Sequence, residues 1–316
     1  MALAHSAEIW GNQLAGVRHD LFGLANAISE FEPVKMLVLE SDWSSAKTKV
    51  SAKVELVKAT FDDLWIRDYG PQFLVNSSRK LAAMDLRFNG WGDKQTHDND
   101  RKIAKLIADR LGLELSESEV VMEGGALEFD GHRQLIATKS CIVNPNRNPE
   151  LSFHAIDSTL KSQFGLDKII WLPGIAGRDI TDGHTDFYAR FAPNGQVLFC
   201  KDNDEESFDF KVTNAHEVIL DNEIEKGRER TIALFPPEKL PKSADPTHFA
   251  AGYVNFYTIN GAVILPKFGD QQADELAQEL VGQAYPGRQV VSLSINSIAA
   301  GGGGIHCATL HQPKVT

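Results

Sequence analysis

The sequence is poor in cysteine. Of 316 residues only Cys141, Cys200 and Cys307 carry a thiol, an odd and widely spaced set that fits neither a disulfide framework nor a paired-thiol zinc site. A reducing, cytoplasmic compartment is expected. Long apolar runs are also missing: no stretch approaches the eighteen or so apolar residues of a membrane span, and the opening MALAHSAEIWG lacks the basic start and apolar run of a secretory signal. Positive charge is in deficit. Lys and Arg number 32 against 43 Asp and Glu, a net charge of −11, which argues against nucleic-acid and anionic-membrane partners, since both call for a basic face. No linker or low-complexity tract divides the chain, so residues 1–316 are expected to form one domain.

What is present is ordinary globular material, 42% hydrophobic and 24% charged, enough for a large core. Leu14, Val17, Leu21, Leu24 and Ile28 recur at alternating spacings of three and four, which predicts a helix over 13–30. Similar stretches cover 99–112, 150–164 and 271–284, with Asp98 and Asp270 placed to cap the first and last of these. Between the helices one shape recurs: a glycine, a strand rich in aromatic or β-branched residues, a turn, and an apolar strand. GPQFLVNSSRKLAAMDLRF, GGALEFDGHRQLIAT, GHTDFYARFAPNGQVLFC and GYVNFYTINGAVILP follow it from Gly70, Gly124, Gly183 and Gly252, and Gly303 would open a fifth. The spacings of 54, 59, 69 and 51 residues are too uneven for a strict array. They fit either a propeller-like quasi-repeat or an α+β chain with several hairpins.

Chemistry clusters at the hairpin starts. WIRDYGP supplies Arg67 and Asp68, MEGGALE supplies Glu123, ITDGHTD supplies Asp182, His184 and Asp186, and GGGGIHC supplies His306 and Cys307. If the units surround an axis, these residues meet, gathering a thiol, an imidazole and several carboxylates. Such a set suits a guanidinium, whose planar fork of N–H donors matches carboxylates. Asp68 and Asp186 would hold the cation, and Glu123 would contact it or orient His184. Cys307 would attack carbon, favoured as a thiolate by the positive charge held beside it, and His184 would serve as acid and then base. The spacing His184-x-Asp186 puts both side chains on one face of a strand. Cys141 and Cys200, in the apolar contexts SCIVN and VLFCKD, read as buried fillers. Asp130 and Asn194, each followed by glycine, read as hairpin-turn residues, and an extended GGGGIHC would point His306 away from the thiol.

Together WIRDYGP, FNGWG, EGG, NPNRNP, DGHTD, YVNFY, ILPKFGD and GGGGIHC closely resemble the agmatine deiminase family, grouped with bacterial peptidylarginine deiminases among the guanidino-group-modifying enzymes. The resemblance runs in order from about residue 9 to 313. It implies an α/β fold, a five-bladed propeller (pentein) of ββαβ units, with Cys307 as nucleophile, His184 as acid/base and Glu123 as its catalytic partner. Asp68, Asp186, Trp65 and Arg67 would bind substrate. The implied reaction converts agmatine and water to N-carbamoylputrescine and ammonia through a covalent thiouronium, with no metal and no organic cofactor. The partner is then a small cationic guanidine, with no nucleic acid and no membrane, and a homo-oligomer is compatible. Three departures stand out. About twenty residues of the family's usual start are not in this sequence, with Leu3 and Ala4 where Trp-Pro is common, so the expectation is either a shortened first strand or a start placed late. Leu310 and His311 replace glutamines after the nucleophile. Asp182 adds a carboxylate, and these changes are expected to retune substrate choice. An amidinotransferase would need an acceptor-amine site that no motif supplies, a peptidyl-arginine deiminase an open cleft. A zinc hydrolase is disfavoured by the single histidine among carboxylates.

Overall fold

In the computed structural model, which describes residues 1–224, 230–242 and 244–315, the hairpins become small sheets of one design. The first sheet differs. Its strands β1 (Val34–Val38) and β2 (Val54–Lys58) run parallel, preceded by the helix α1 (Leu14–Ser29), which buries Val17, Leu21, Leu24 and Ile28 as the periodicity predicts. The expected shortened first strand is a single parallel bridge, Ala2 to Leu37, fixed by Leu3 N–H donating to Leu37 O at 2.9 Å and Leu37 N–H to Met1 O at 2.8 Å.

Each of the other four sheets is an antiparallel hairpin followed by a helix and a third strand parallel to the second. The strands are β3 (Gln72–Val75), β4 (Leu81–Asp85) and β5 (Leu115–Glu117); β6 (Leu127–Phe129), β7 (Gln134–Thr138) and β8 (Lys168–Leu172); β9 (Ala189–Phe191), β10 (Val197–Cys200) and β11 (Thr231–Leu234); and β12 (Tyr257–Ile259), β13 (Ala262–Lys267) and β14 (Gln289–Ser294). The crossovers are α2 (Ile103–Leu111), α3 (Phe153–Phe164), α4 (Phe210–Glu223) and α5 (Gln271–Ala284). The result is a five-bladed α/β propeller in which four blades are ββαβ units and the first is a parallel pair with a one-residue bridge.

The second strand of each unit lies between two partners and is covered on both faces, which is why continuous apolar runs such as AVILP replace alternation there. Leu135, Ile136 and Ala137 in β7 and Ala262 to Leu265 in β13 are fully buried. Turn chemistry sets the register: Asp130 Oδ1 accepts from the N–H groups of His132, Arg133 and Gln134 while Gly131 takes φ +77°, and Asn194-Gly195 repeats the device.

Two expectations need correction, and one helix was not foreseen. Gly303 opens no strand, because residues 301–308 form turns. Asp98 caps nothing; Asp62 instead accepts from Asn99 N–H at 2.7 Å and Asp100 N–H at 3.2 Å. Helix α4 lacked a sequence signal because two of its four buried positions are Thr213 and His216, which interrupt the apolar stripe.

Candidate active site

The segments leading into the first strands of the sheets converge, and they carry the polar residues. Asp68 lies on the turn Ile66–Tyr69 ahead of β3, Glu123 caps the turn Gly124–Ala126 ahead of β6, and His184 caps the turn Thr185–Phe187, which contains Asp186, ahead of β9. Asn255 precedes β12, and Cys307 sits in the closing turn. His184 and Asp186 therefore share a tight turn rather than a strand face. Gly125 makes the convergence possible: a Cβ there would lie 2.5 Å from His184 Nδ1 and 2.9 Å from Asp68 Oδ1.

Cys307 Sγ lies 3.6 Å from Asp186 Oδ2 and accepts from Asn255 Nδ2 at 3.3 Å. Asp68 accepts from Gly125 N–H and Trp91 Nε1, both at 3.0 Å, and its Oδ1 stands 3.7 Å from His184 Nδ1. On the far side of the ring, His184 Nε2 meets Glu123 Oε2 at 3.3 Å. Glu123 is gripped by Arg147 Nε at 2.8 and 3.1 Å, and Arg147 Nη1 donates to Asp182 Oδ2 at 2.7 Å. Two buried atoms, His184 Nδ1 and Asp186 Oδ1, have no hydrogen-bond partner among the described residues.

These contacts set the charges. Burial alone would discharge His184, but Asp68, Cys141 and Glu123 around it outweigh that and hold the imidazole well above its usual value, protonated at neutral pH. Burial also disfavours ionised Glu123, yet Arg147 and His184 keep it below the usual carboxylate range. Asp186 is pushed up to about 6, mainly by burial and despite His184. Burial, then Asp186 and Asp68, drive the Cys307 thiol well above its ordinary value. The aspartates by themselves repel a thiolate, so the expected stabilisation of Cys307 depends on the positive charge that they would hold beside it.

Cys307, His184, Asp68, Trp65 and Trp91 line a cleft of about 1790 Å³. Arg67, expected to contact substrate, is not among the residues that line this cleft. Its Nε donates to His306 O at 3.2 Å, its Nη2 meets His311 Nδ1 at 3.2 Å, and its own N–H donates to Cys307 O at 3.1 Å, so it anchors the turn that carries the thiol. His306 is equally misjudged by an extended reading. The segment turns, and His306 Nδ1 reaches Asp186 Oδ2 at 2.8 Å. Asp182 is committed to Lys94, Asn146, Arg147 and the N–H of Gly177. Leu310 and His311 do not line the cleft either; His311 stacks on Tyr257 with ring centroids 4.2 Å apart.

The glycine run is a packing requirement. Any Cβ at Gly303 would overlap the Trp65 ring, at Gly301 the Trp10 ring, and at Gly304 the Asn255 side chain. Gly303→Ala is expected to lose about 1–3 kcal/mol by overpacking and to displace Trp65 or the Cys307 turn. Urea titration together with turnover checks this; wild-type values for both would mean that the ring can move aside.

The sequence matches the Porphyromonas-type peptidyl-arginine deiminase family over residues 1–313. It is 31% identical over 329 residues to the agmatine deiminase of Ectopseudomonas mendocina, covering 96% of this chain and 89% of the relative. The structure resembles that of the agmatine deiminase of Enterococcus faecalis with a TM-score of 0.92 at 26% identity, covering 99% of this chain and 92% of the other. A cysteine-to-serine variant of C. jejuni agmatine deiminase with substrate bound gives a TM-score of 0.88 at 28% identity, with 97% and 90% covered.

Proposed function

Because the chain belongs to the Porphyromonas-type peptidyl-arginine deiminase family, we propose that it is a cysteine-dependent hydrolase that converts agmatine to N-carbamoylputrescine and ammonia. The observation that carries this reading is the buried Asp186: Oδ1 lacks a partner and Oδ2 stands 3.6 Å from the Cys307 thiol. A desolvated carboxylate with a free acceptor beside a nucleophile calls for a cation whose electrophilic carbon lies within reach of sulfur.

Asp68 and Asp186 hold the guanidinium. Its charge offsets theirs, so the thiol that is hard to ionise in the empty site releases its proton to solvent once the cation is bound. Sγ attacks the central carbon and gives a neutral tetrahedral adduct. His184, protonated at the start, gives a proton to one nitrogen, the C–N bond breaks, ammonia leaves and an S-alkylthiouronium remains. The neutral imidazole then takes a proton from water as its oxygen bonds to the same carbon. The C–S bond breaks and the ureido product departs; the second water proton passes to solvent, where the released ammonia is protonated to ammonium, and the sulfur takes back the proton it gave up. Glu123, kept ionised by Arg147, steadies the imidazolium before and after transfer.

Asp186→Asn is expected to lower kcat/KM roughly 10- to 150-fold, the value of a charge-assisted hydrogen bond. Steady-state rates check this, and an unchanged kcat/KM would place Asp186 outside guanidinium recognition. A second reading, a guanidine with a longer tail, draws on the outer cleft, where Ile180, Phe208, Phe235 and Leu276 remain exposed. The decisive assay measures ammonia and ureido product from agmatine, free arginine, a peptide with internal arginine and simple alkylguanidines. Turnover of agmatine supports the first reading, rapid turnover of a larger guanidine the second, and no turnover by folded protein defeats both.

A further inference from the structure

A second thiol lies beside the catalytic constellation. Cys141 is buried on the short helical turn Lys139–Ile142 that follows β7, and its Sγ lies 3.3 Å from Glu123 Oε2, the oxygen that His184 Nε2 also reaches at 3.3 Å. A ring nitrogen of His184, the Cys141 thiol and a Glu123 carboxylate oxygen lie within 4.8 Å of one another. The turn is tied to the segment that carries the imidazole: Thr138 Oγ1 donates to Gly183 O at 2.6 Å, and Ser140 N–H to Pro173 O at 3.0 Å.

We propose that Cys141 is a positioning residue of the deiminase: its S–H donates to Glu123 Oε2 and, through that shared oxygen, fixes His184 with Nε2–H toward Glu123 and Nδ1 toward the cleft. This rests on the deiminase reading of the site. Burial first, then Glu123, holds this thiol up at about 11, so it remains a neutral donor across the working pH range. Three donors, Arg147 Nε, His184 Nε2 and Cys141 Sγ, thus converge on Oε2. A carboxylate so bound stays ionised and cannot swing. With Oε2 fixed, the imidazole keeps one orientation, and the unpartnered Nδ1 is the atom left to deliver a proton. A filler cysteine would need only its volume; a positioning cysteine needs its proton.

The test compares Cys141→Ser, Cys141→Ala and Cys141→Val, with folded fractions read by circular dichroism. Serine keeps a donor, whereas alanine and valine do not. The expected result is that serine retains kcat within a few-fold, while alanine and valine lower kcat about tenfold or more with KM unchanged, on the scale of one hydrogen bond to a charged group. In both apolar variants the acidic limb of the kcat profile moves to higher pH, because Glu123 loses a donor that favours its ionised form. Wild-type kcat and an unmoved acidic limb in the alanine variant would overturn the proposal, as would a serine variant as impaired as alanine. Nitrogen-15 histidine spectra give a readout independent of turnover. His184 should lose its single Nε2-protonated signature at high pH in the alanine variant and keep it in the serine variant; identical spectra would sink the idea. If the wild type turns over no guanidine, the deiminase reading fails, and the spectra still decide whether Cys141 orients the ring.

Discussion

Cys307→Ala is expected to abolish ammonia release from agmatine, with a fall in kcat of roughly 10⁴-fold or more, the scale on which loss of a nucleophile silences a hydrolase. Binding should survive, because the carboxylates that hold the cation are untouched: Asp68 keeps its bonds from Gly125 N–H and Trp91, and Asp186 keeps His306. Calorimetric titration with agmatine should therefore give a measurable Kd in a variant without turnover. The wild-type thiol carries a second signature of the same arrangement. Since burial and the two aspartates push Cys307 well above its ordinary value, iodoacetamide should react slowly with the free protein at neutral pH and faster as pH rises. Residual turnover within tenfold of wild type would remove Cys307 from the chemistry. Fast alkylation at pH 7 would mean that the resting site already stabilises a thiolate.

The contrast between what the sequence disclosed and what it hid has a physical basis. The hairpin glycines and turn pairs such as Asp130-Gly131 mark the units because turn geometry is local, decided within a few residues. Helix α1 is equally legible, since Val17, Leu21, Leu24 and Ile28 form one stripe facing one core. The first sheet is harder to see. Its opening strand is a one-residue bridge that pairs Ala2 with Leu37, and no pattern of two or more residues announces it. At the site, Cys307, His184, Glu123, Asp68 and Asp186 stand next to glycine-rich turns that prepare close approach, and those turns are visible in the sequence. The supporting residues are not. Arg147 stands 24 residues from Glu123 and 35 from Asp182 in sequence, and Asn255 stands 52 from Cys307, so only the folded chain pairs them. Arg67 shows the opposite failure: its place in WIRDYGP beside Asp68 suggests the cleft, but in a helical turn adjacent residues face different ways. Its guanidinium accordingly faces the closing turn.

Arg147→Met is expected to damage the fold more than Gly303→Ala or any of the changes at Cys141, Asp186 or Cys307. The guanidinium and both acidic partners, Glu123 and Asp182, are almost completely excluded from water, and removing one member of a buried pair leaves an uncompensated charge at a cost of about 3–5 kcal/mol. The two carboxylates do not suffer equally. Asp182 keeps Lys94 at 2.7 Å, Asn146 at 3.0 Å and the N–H of Gly177 at 2.7 Å. Glu123 keeps only His184 and Cys141, both at 3.3 Å. Glu123 is depressed in the folded wild type, where Arg147 and His184 outweigh burial, so its contribution to stability is present above the unfolded carboxylate pKa and is lost as pH falls through the folded one. Without Arg147 burial prevails, Glu123 rises, and that contribution disappears at all pH values. Urea midpoints between pH 5 and 8 measure the loss. Adding Glu123→Gln to Arg147→Met should recover part of the stability by removing the stranded charge, while turnover stays low because the neutral amide no longer steadies the imidazolium at Nε2 and leaves that charge to Asp68. A single variant within about 1 kcal/mol of wild type, the range of exposed ion pairs, would show that the pair is not the buried strut its contacts describe. Recovered turnover in the double variant would show that His184 does not depend on an ionised Glu123.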